Sequence, residues 1–385
     1  MENSNLNNNL SEEKKKFIKL MEYDFDDDVK TRIQKIVKSV YTKITHIDTP
    51  ELISPLRSLS NVKFEEGVGY FEIIGKTKSR KLTANTIKTF AQTLRMMGLS
   101  KELISQEDIA SKREAYYISK NWGDARFLEQ PESDTIMDDI EAMLMVNREQ
   151  IGFIPEEKGG AIAGQLVVID KDEDTGEILR IDCTKFGSGA YSIPSIVEHL
   201  KFETDAKFIL AIETAGMFQR LVKHKYFKTA NCILVSMGGV PTRATRRFIR
   251  KLTDAKNLPV FVFTDGDMYG YANIYRTLKV GSGNAAHINR FFCVPNAKFI
   301  GITPQDIINY KLPTHPLKEV DIKRGRDAIK NDPFIKYHKK WIQAIEMQIR
   351  MKKRAEQQAL AKHGLNFVIS DYLPFKLAHP DSWLP

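Results

Sequence analysis

Asp265 and Asp267 stand one residue apart in "VFVFTDGDMYGYANIY", Val260 to Tyr275, at the tip of an apolar run. Like charges this close repel, and burial strengthens the repulsion. A cation between them removes the conflict. A third carboxylate, Glu213, ends a second apolar run, "KFILAIE". Oxygen-only donors without cysteine suit a hard dication, Mg²⁺ or Mn²⁺, bound through a few carboxylates, water and a phosphate. Gly266 and Gly270 let the backbone turn tightly there. The competing reading is that the aspartates cap a following helix. A DxDxxG directly behind an apolar strand, with a strand-ending glutamate upstream, favours the metal.

The second reactive candidate is the pair Tyr116 and Tyr117 in "SKREAYYISK". Arg113 lies four residues before Tyr117, which puts both on one face of a helix. A phenol with a pKa of about 10 is a poor nucleophile at neutral pH. A neighbouring guanidinium favours the phenolate and can hold a phosphate through two hydrogen bonds. Taken alone, such a pair reads more readily as two half-buried helix aromatics. Composition does not decide which tyrosine would react.

Elements that could position these groups follow from periodicity. From about residue 160, apolar strands ("KFILAIE", "CILVSMG", "PVFVFTD", "AKFIGI") alternate with helices ("MFQRLVKHKYF", "TRATRRFIRKL", "YGYANIYRTL"). That pattern predicts a parallel sheet covered on both faces. Sites in such sheets form at the carboxyl ends of strands, where Glu213 and Asp265 fall. A β-hairpin, "GQLVVID" to "RIDCTKF", precedes it. Further upstream, residues 29–44 have a helical period with Asp26 to Asp28 as its cap. "PELISPLRSLSNV" reads as a loop, "YFEII" as a strand followed by a basic turn. A helix then runs from near Thr83 to Gly98, a short one follows, and another passes through the tyrosines. Helix–turn–helix with Lys76, Lys78, Arg80 and Lys81 nearby resembles a winged-helix DNA-binding arrangement. "SDTIMDDIEAMLMVNREQIGF" continues as an amphipathic helix. The tail, "FIKYHKKWIQAIEMQIRMKKRAEQQALAKHG", reads as one long basic helical segment, and "LNFVISDYLPFKL" docks on the domain.

The chain's 385 residues allow two or three domains, and a net charge of +9 suits a polyanionic partner. No apolar stretch is long enough to span a membrane. The Asn-rich start has no signal-peptide core and reads as a disordered arm of a cytoplasmic protein. Cys183, Cys232 and Cys293 lie far apart, as core thiols rather than a zinc site or disulfide framework. "GYFEIIGKT" has the wrong glycine spacing for a phosphate loop, and "GSGNAAH" lacks a final glycine and an acidic follow-up, so no ATPase signature is visible.

The strand-ending glutamate and the DxD resemble the Toprim domain of topoisomerases, primases and some nucleases. Joined to an R-[DE]-x-Y-Y pattern at Arg113 to Tyr117, they are similar to the A-subunit family of DNA topoisomerase VI, whose core recurs in the meiotic double-strand-break protein. "EKGGAIAG", "DCTKFGSGAYSIPS", "AIETAGMFQRL", "GGVPTRATRRFIRKL" and "GITPQDI" fit it in order. The resemblance covers roughly residue 60 to the C-terminus. It implies an α/β plus α+β chain: an N-terminal arm and helix over 1–70, a CAP-like winged-helix domain carrying the catalytic tyrosine over 71–150, and a β-linker with a Toprim Rossmann-like domain and helical extension over 151–385. It implies transient double-strand cleavage through a 5′-phosphotyrosyl link at Tyr117, with Arg113 steadying the anionic transition state. Mg²⁺ would be held by Glu213, Asp265 and Asp267, with Glu213 also moving protons. It further implies double-stranded DNA as substrate, a homodimer, an ATPase B subunit that supplies ATP use in an A₂B₂ assembly, and a nucleoid-associated place in the cytoplasm. The helix over 29–44 is a candidate B-subunit contact. The rival readings are a meiotic-type enzyme that cuts without routine resealing, and a Toprim hydrolase or DNA-binding protein with structural tyrosines.

Overall fold

The computed structural model describes residues 28–154, 159–172, 175–187 and 189–385. The N-terminal arm, with Asp26 and Asp27, lies outside them. The chain divides into two compact units, one drawn mainly from residues up to Glu156 and one mainly from Glu157 onward.

In the first unit, α1 (Val29–Thr45) starts at Asp28, whose side chain accepts from the Lys30 N–H at 3.2 Å. It buries Ile33 and Val40 and leaves Val37, Tyr41 and Ile44 exposed. The segment read as a loop forms β1 (Glu51–Pro55), and the segment read as a basic turn forms its antiparallel partner β2 (Thr77–Lys81). "TKSRK" has no apolar alternation; it is a strand because β1 supplies its hydrogen bonds. Helix α2 (Ile87–Gln106) runs straight through Gly98. A mid-helix glycine costs about 1 kcal/mol, which burial of Phe90, Met96, Met97 and Leu103 outweighs. Then come α3 (Lys112–Ile118) and α4 (Gln130–Leu144), which ends where Met145 turns left-handed. The acidic pair in α4 is structural: Arg57 reaches Asp138 at 2.9 Å and Asp139 at 3.0 Å, and Arg80 reaches Asp139 at 3.3 Å.

The second unit is built on a six-stranded sheet. Its strands in chain order are β3 (Ala161–Gly164), β6 (Tyr191–Ser192), β8 (Phe208–Ile212), β9 (Cys232–Ser236), β10 (Val260–Phe263) and β11 (Ala297–Gly301). In space they lie β6-β3-β9-β8-β10-β11, with β9, β8, β10 and β11 mutually parallel and β3 antiparallel to β9. The hairpin β4 (Val167–Lys171) and β5 (Ile178–Asp182) joins β7 (Lys201–Glu203) in a separate antiparallel sheet. Every residue of β8, β9 and β10 is buried, as covered parallel strands require. Leu210 and Ile212 pack with Met217, Phe218 and Leu221 of α5 (Ala215–Lys223). Phe248 of α6 (Arg243–Lys256) lies outside that cluster and meets Phe202 and Tyr191. The three cysteines are buried and free.

The tail is not one helix. It breaks at His338 and again at Lys352, where φ is 54°. Helix α7 (Lys339–Met351) therefore ends in a left-handed turn, a short strand, Lys353–Arg354, follows, and a 3₁₀ segment occupies Gln357–His363. No helix among the described residues is long and apolar enough to cross a membrane.

Candidate active site

The chain leaves β8 for β9 on one side and later leaves β10 for β11 on the other. The carboxyl ends of β8 and β10 are therefore a topological switch point, the crevice where such sheets bind ligands. Glu213 follows β8 and Asp265 follows β10. The two strands pair as far as Ile212 and Phe263, and the structure brings the acidic ends together just beyond. The Asp265 N–H donates to Glu213 Oε2 at 2.8 Å. The Gln357 N–H donates to Asp265 Oδ1 at 2.8 Å, and the Gly270 N–H to Asp267 Oδ1 at 2.7 Å. Arg354 approaches Asp267 Oδ2 at 3.5 Å.

The capping reading of the aspartates is seen at Asp267. Asp267 caps the turn into Gly270–Tyr275 with one oxygen and turns the other toward the Arg354 guanidinium. The second oxygens of Glu213 and Asp265 have no hydrogen-bond partner among the described residues. The glycines serve close approach rather than an unusual φ. A Cβ on Gly266 would sit 2.9 Å from an Ile302 methyl, and one on Gly270 would sit 2.6 Å from the Asp265 carbonyl oxygen.

Burial, then the Asp265 charge, pushes the Glu213 carboxyl up to about 8; the Asp265 N–H only partly offsets this. Burial likewise pushes Asp265 up to about 6, against the Gln357 N–H. Three carboxylates are therefore crowded with too little positive charge. Among the described residues no acidic, histidine or cysteine side chains close into a three-ligand cage. The arrangement suits a dication that takes few carboxylates and keeps most of its water.

The sequence did not point to Gln357 or Arg354. Both come from the tail, far along the chain from the DxD, and Ala355 pairs with Gly266 as an isolated antiparallel bridge. "KKRAEQQALAKH" carries no periodicity that would mark it as a site.

The tyrosines lie in the first unit, on α3. Ser111 and Glu114 form a capping box there, with bonds of 2.6 and 3.2 Å. The two hydroxyls have different surroundings. Tyr116 packs on the core and donates to the Leu128 carbonyl at 2.9 Å, with the Lys120 ammonium 4.1 Å over its ring. Tyr117 is 57% exposed, and its hydroxyl has no hydrogen-bond partner among the described residues. Arg113 is exposed one turn before it.

Comparison with known proteins gives the family. Three family profiles match in succession: type IIB DNA topoisomerase over residues 88–153, the all-beta domain of the DNA topoisomerase VI alpha chain over 156–206, and the Toprim domain shared by the topoisomerase 6 A chain and Spo11 over 208–377. The chain is similar to the A chain of type 2 DNA topoisomerase 6 from Methanocaldococcus jannaschii, at 51% identity over 92% of this chain and 96% of the relative. It is also similar to that of Archaeoglobus fulgidus, at 38% identity over 89% and 95%, and that of Methanothermobacter thermautotrophicus, at 35% over 90% and 96%. Divalent-metal use and DNA binding come with that family. The chain belongs to the topoisomerase VI A-subunit family, the DNA-cleaving subunits of type IIB topoisomerases.

Proposed function

We propose that Tyr117 cuts DNA by transesterification. Its hydroxyl oxygen attacks a backbone phosphorus, a 5′-phosphotyrosyl bond forms, and the phosphorus–O3′ bond breaks. The tyrosine gives up its proton and the departing 3′ oxygen takes one up; Glu213 is assigned this proton exchange. The phosphodiester energy stays in the tyrosyl ester, so the 3′-hydroxyl reseals the strand by the reverse step. Arg113 holds the phosphate as its charge spreads. Glu213, Asp265 and Asp267 hold the dication, Mg²⁺ with Mn²⁺ as substitute, which when bound supplies charge stabilisation at the phosphate.

The observation that supports Tyr117 over Tyr116 is the difference in their hydroxyls, one exposed and unengaged, one spent on Leu128. We assign residues 71–150 to a winged-helix DNA-binding domain, 1–70 to the arm and first helix, and 151–385 to the β-linker, Toprim domain and extension. Two protomers join, the tyrosine of one serving the carboxylates of the other, so that paired sites cut both strands. An ATPase B subunit completes an A₂B₂ enzyme, and the exposed side of α1 is its candidate contact. The enzyme acts on the nucleoid in the cytoplasm.

The test mixes the chain with its cognate ATPase partner, a non-hydrolysable ATP analogue, Mg²⁺ and supercoiled plasmid, then denatures and digests with protease. Blocked 5′ ends and free 3′-hydroxyls are expected. Free 5′-phosphates would instead make the Toprim centre a hydrolase.

A further inference from the structure

We propose that Gln357 is a positioning residue of the metal centre: it locks the carboxyl ends of β8 and β10 together, so that Glu213 and Asp265 face the dication as a pair. The inference rests on the metal reading of those carboxylates.

Gln357 is fully buried and bonds to both strand ends. Its backbone N–H donates to Asp265 Oδ1 at 2.8 Å, and its Nε2 donates to the Phe263 carbonyl at 2.9 Å, both on the β10 side. Its Oε1 accepts from Thr214 Oγ1 at 2.7 Å and from the Thr214 N–H at 3.3 Å, both on the β8 side. The Phe263 carbonyl also accepts from the Glu213 N–H at 3.0 Å. One amide therefore takes over where the β8–β10 ladder stops, and its length fixes how far apart the two acidic ends stand.

Its own placement is fixed as well. The Gly266 N–H donates to the Ala355 carbonyl at 2.8 Å, and the Ala355 N–H returns to the Gly266 carbonyl at 3.3 Å. Gln348 Nε2 donates to that same Gly266 carbonyl. The DGD turn is held between Ile302 on one side and the tail on the other. An apolar side chain could fill the same volume if only packing were needed. A buried amide bonded to both strands instead sets a distance and an orientation. The side-chain amide touches no carboxylate itself; it acts through Phe263 and Thr214, the residues beside the two acidic ends. Outer groups that orient metal ligands typically change metal affinity about 10–100-fold when lost.

The test uses the full-length chain without DNA and Mn²⁺ as the probe, with free Mn²⁺ read by electron paramagnetic resonance and melting temperature recorded beside it. Gln357→Leu keeps the backbone bond to Asp265 but removes the bridge between Phe263 and Thr214, and should raise the Mn²⁺ dissociation constant about 10-fold. Thr214→Val should raise it less, and Thr214→Ser should restore it. Wild-type Mn²⁺ affinity in folded Gln357→Leu overturns the inference. If that variant does not fold, the Thr214 pair decides: Thr214→Val with unchanged affinity overturns it, and weakening rescued by serine sustains it. Asp265→Asn separates the two levels. If Asp265→Asn leaves Mn²⁺ binding intact, the metal reading itself fails, and the inference with it.

Discussion

At the residue scale the site is a problem of charge. Glu213 and Asp265 titrate near 8 and 6 in the fold, against about 4.3 and 3.9 in an unfolded chain. Between those values the folded chain binds more protons than the unfolded one, so the metal-free protein loses stability as pH rises. Below the unfolded values both states are protonated and the difference vanishes. In EDTA the melting temperature should therefore fall from about pH 4 to 8, and the increment from Mg²⁺ should grow over the same window. An increment that is flat with pH in scanning calorimetry would place the dication elsewhere. Arg354 already supplies part of the missing charge at Asp267. Arg354→Gln should cost about 0.5–1 kcal/mol in EDTA and enlarge the Mg²⁺ increment, both read from the same thermograms. Tyr116→Phe removes one bond to Leu128 and should cost about 1 kcal/mol while cleavage persists, as a melt beside a plasmid assay would show.

At the element scale, the parallel sheet was legible because its strands are short, wholly apolar and separated by amphipathic helices. The acidic strand ends were legible for the same reason: a charge after "VFVFT" or "KFILAI" has few structural excuses. β1 and β2 were not legible, because their pairing is tertiary and "TKSRK" has no apolar rhythm. The tail misled because its helical composition runs on across His338 and Lys352, where the backbone breaks. Gln357 could not be found from sequence, since its role depends on a pairing between Ala355 and Gly266. The element that carries Tyr117 is itself short, seven residues, and leans on its cap. Ser111→Ala should cost about 1 kcal/mol and lower cleavage more than DNA binding, a split that filter binding and plasmid cleavage can resolve. Equal loss in both would mean the cap serves the whole unit rather than the tyrosine.

At the scale of the whole molecule, a net charge of +9 and a phosphate-directed site describe a protein built to hold DNA. Its DNA binding should weaken steeply with salt in a logarithmic plot, which fluorescence anisotropy from about 50 to about 300 mM salt will show. If the nucleophile of one protomer serves the carboxylates of the other, a mixed dimer of Tyr117→Phe and Asp265→Asn protomers keeps one intact site and should nick one strand, while neither homodimer cuts. Linear product from the mixture, or none, would contradict that sharing. The most direct measurement is the chemical identity of the DNA–protein bond. The trapped complex is digested with nuclease and trypsin, and the nucleotide-bearing peptide is sequenced by mass spectrometry, with Tyr117→Phe and Tyr116→Phe beside the wild type. A 5′-nucleotide on Tyr117, lost only in Tyr117→Phe, is the expected result; a nucleotide on Tyr116, or no adduct at all, would contradict it.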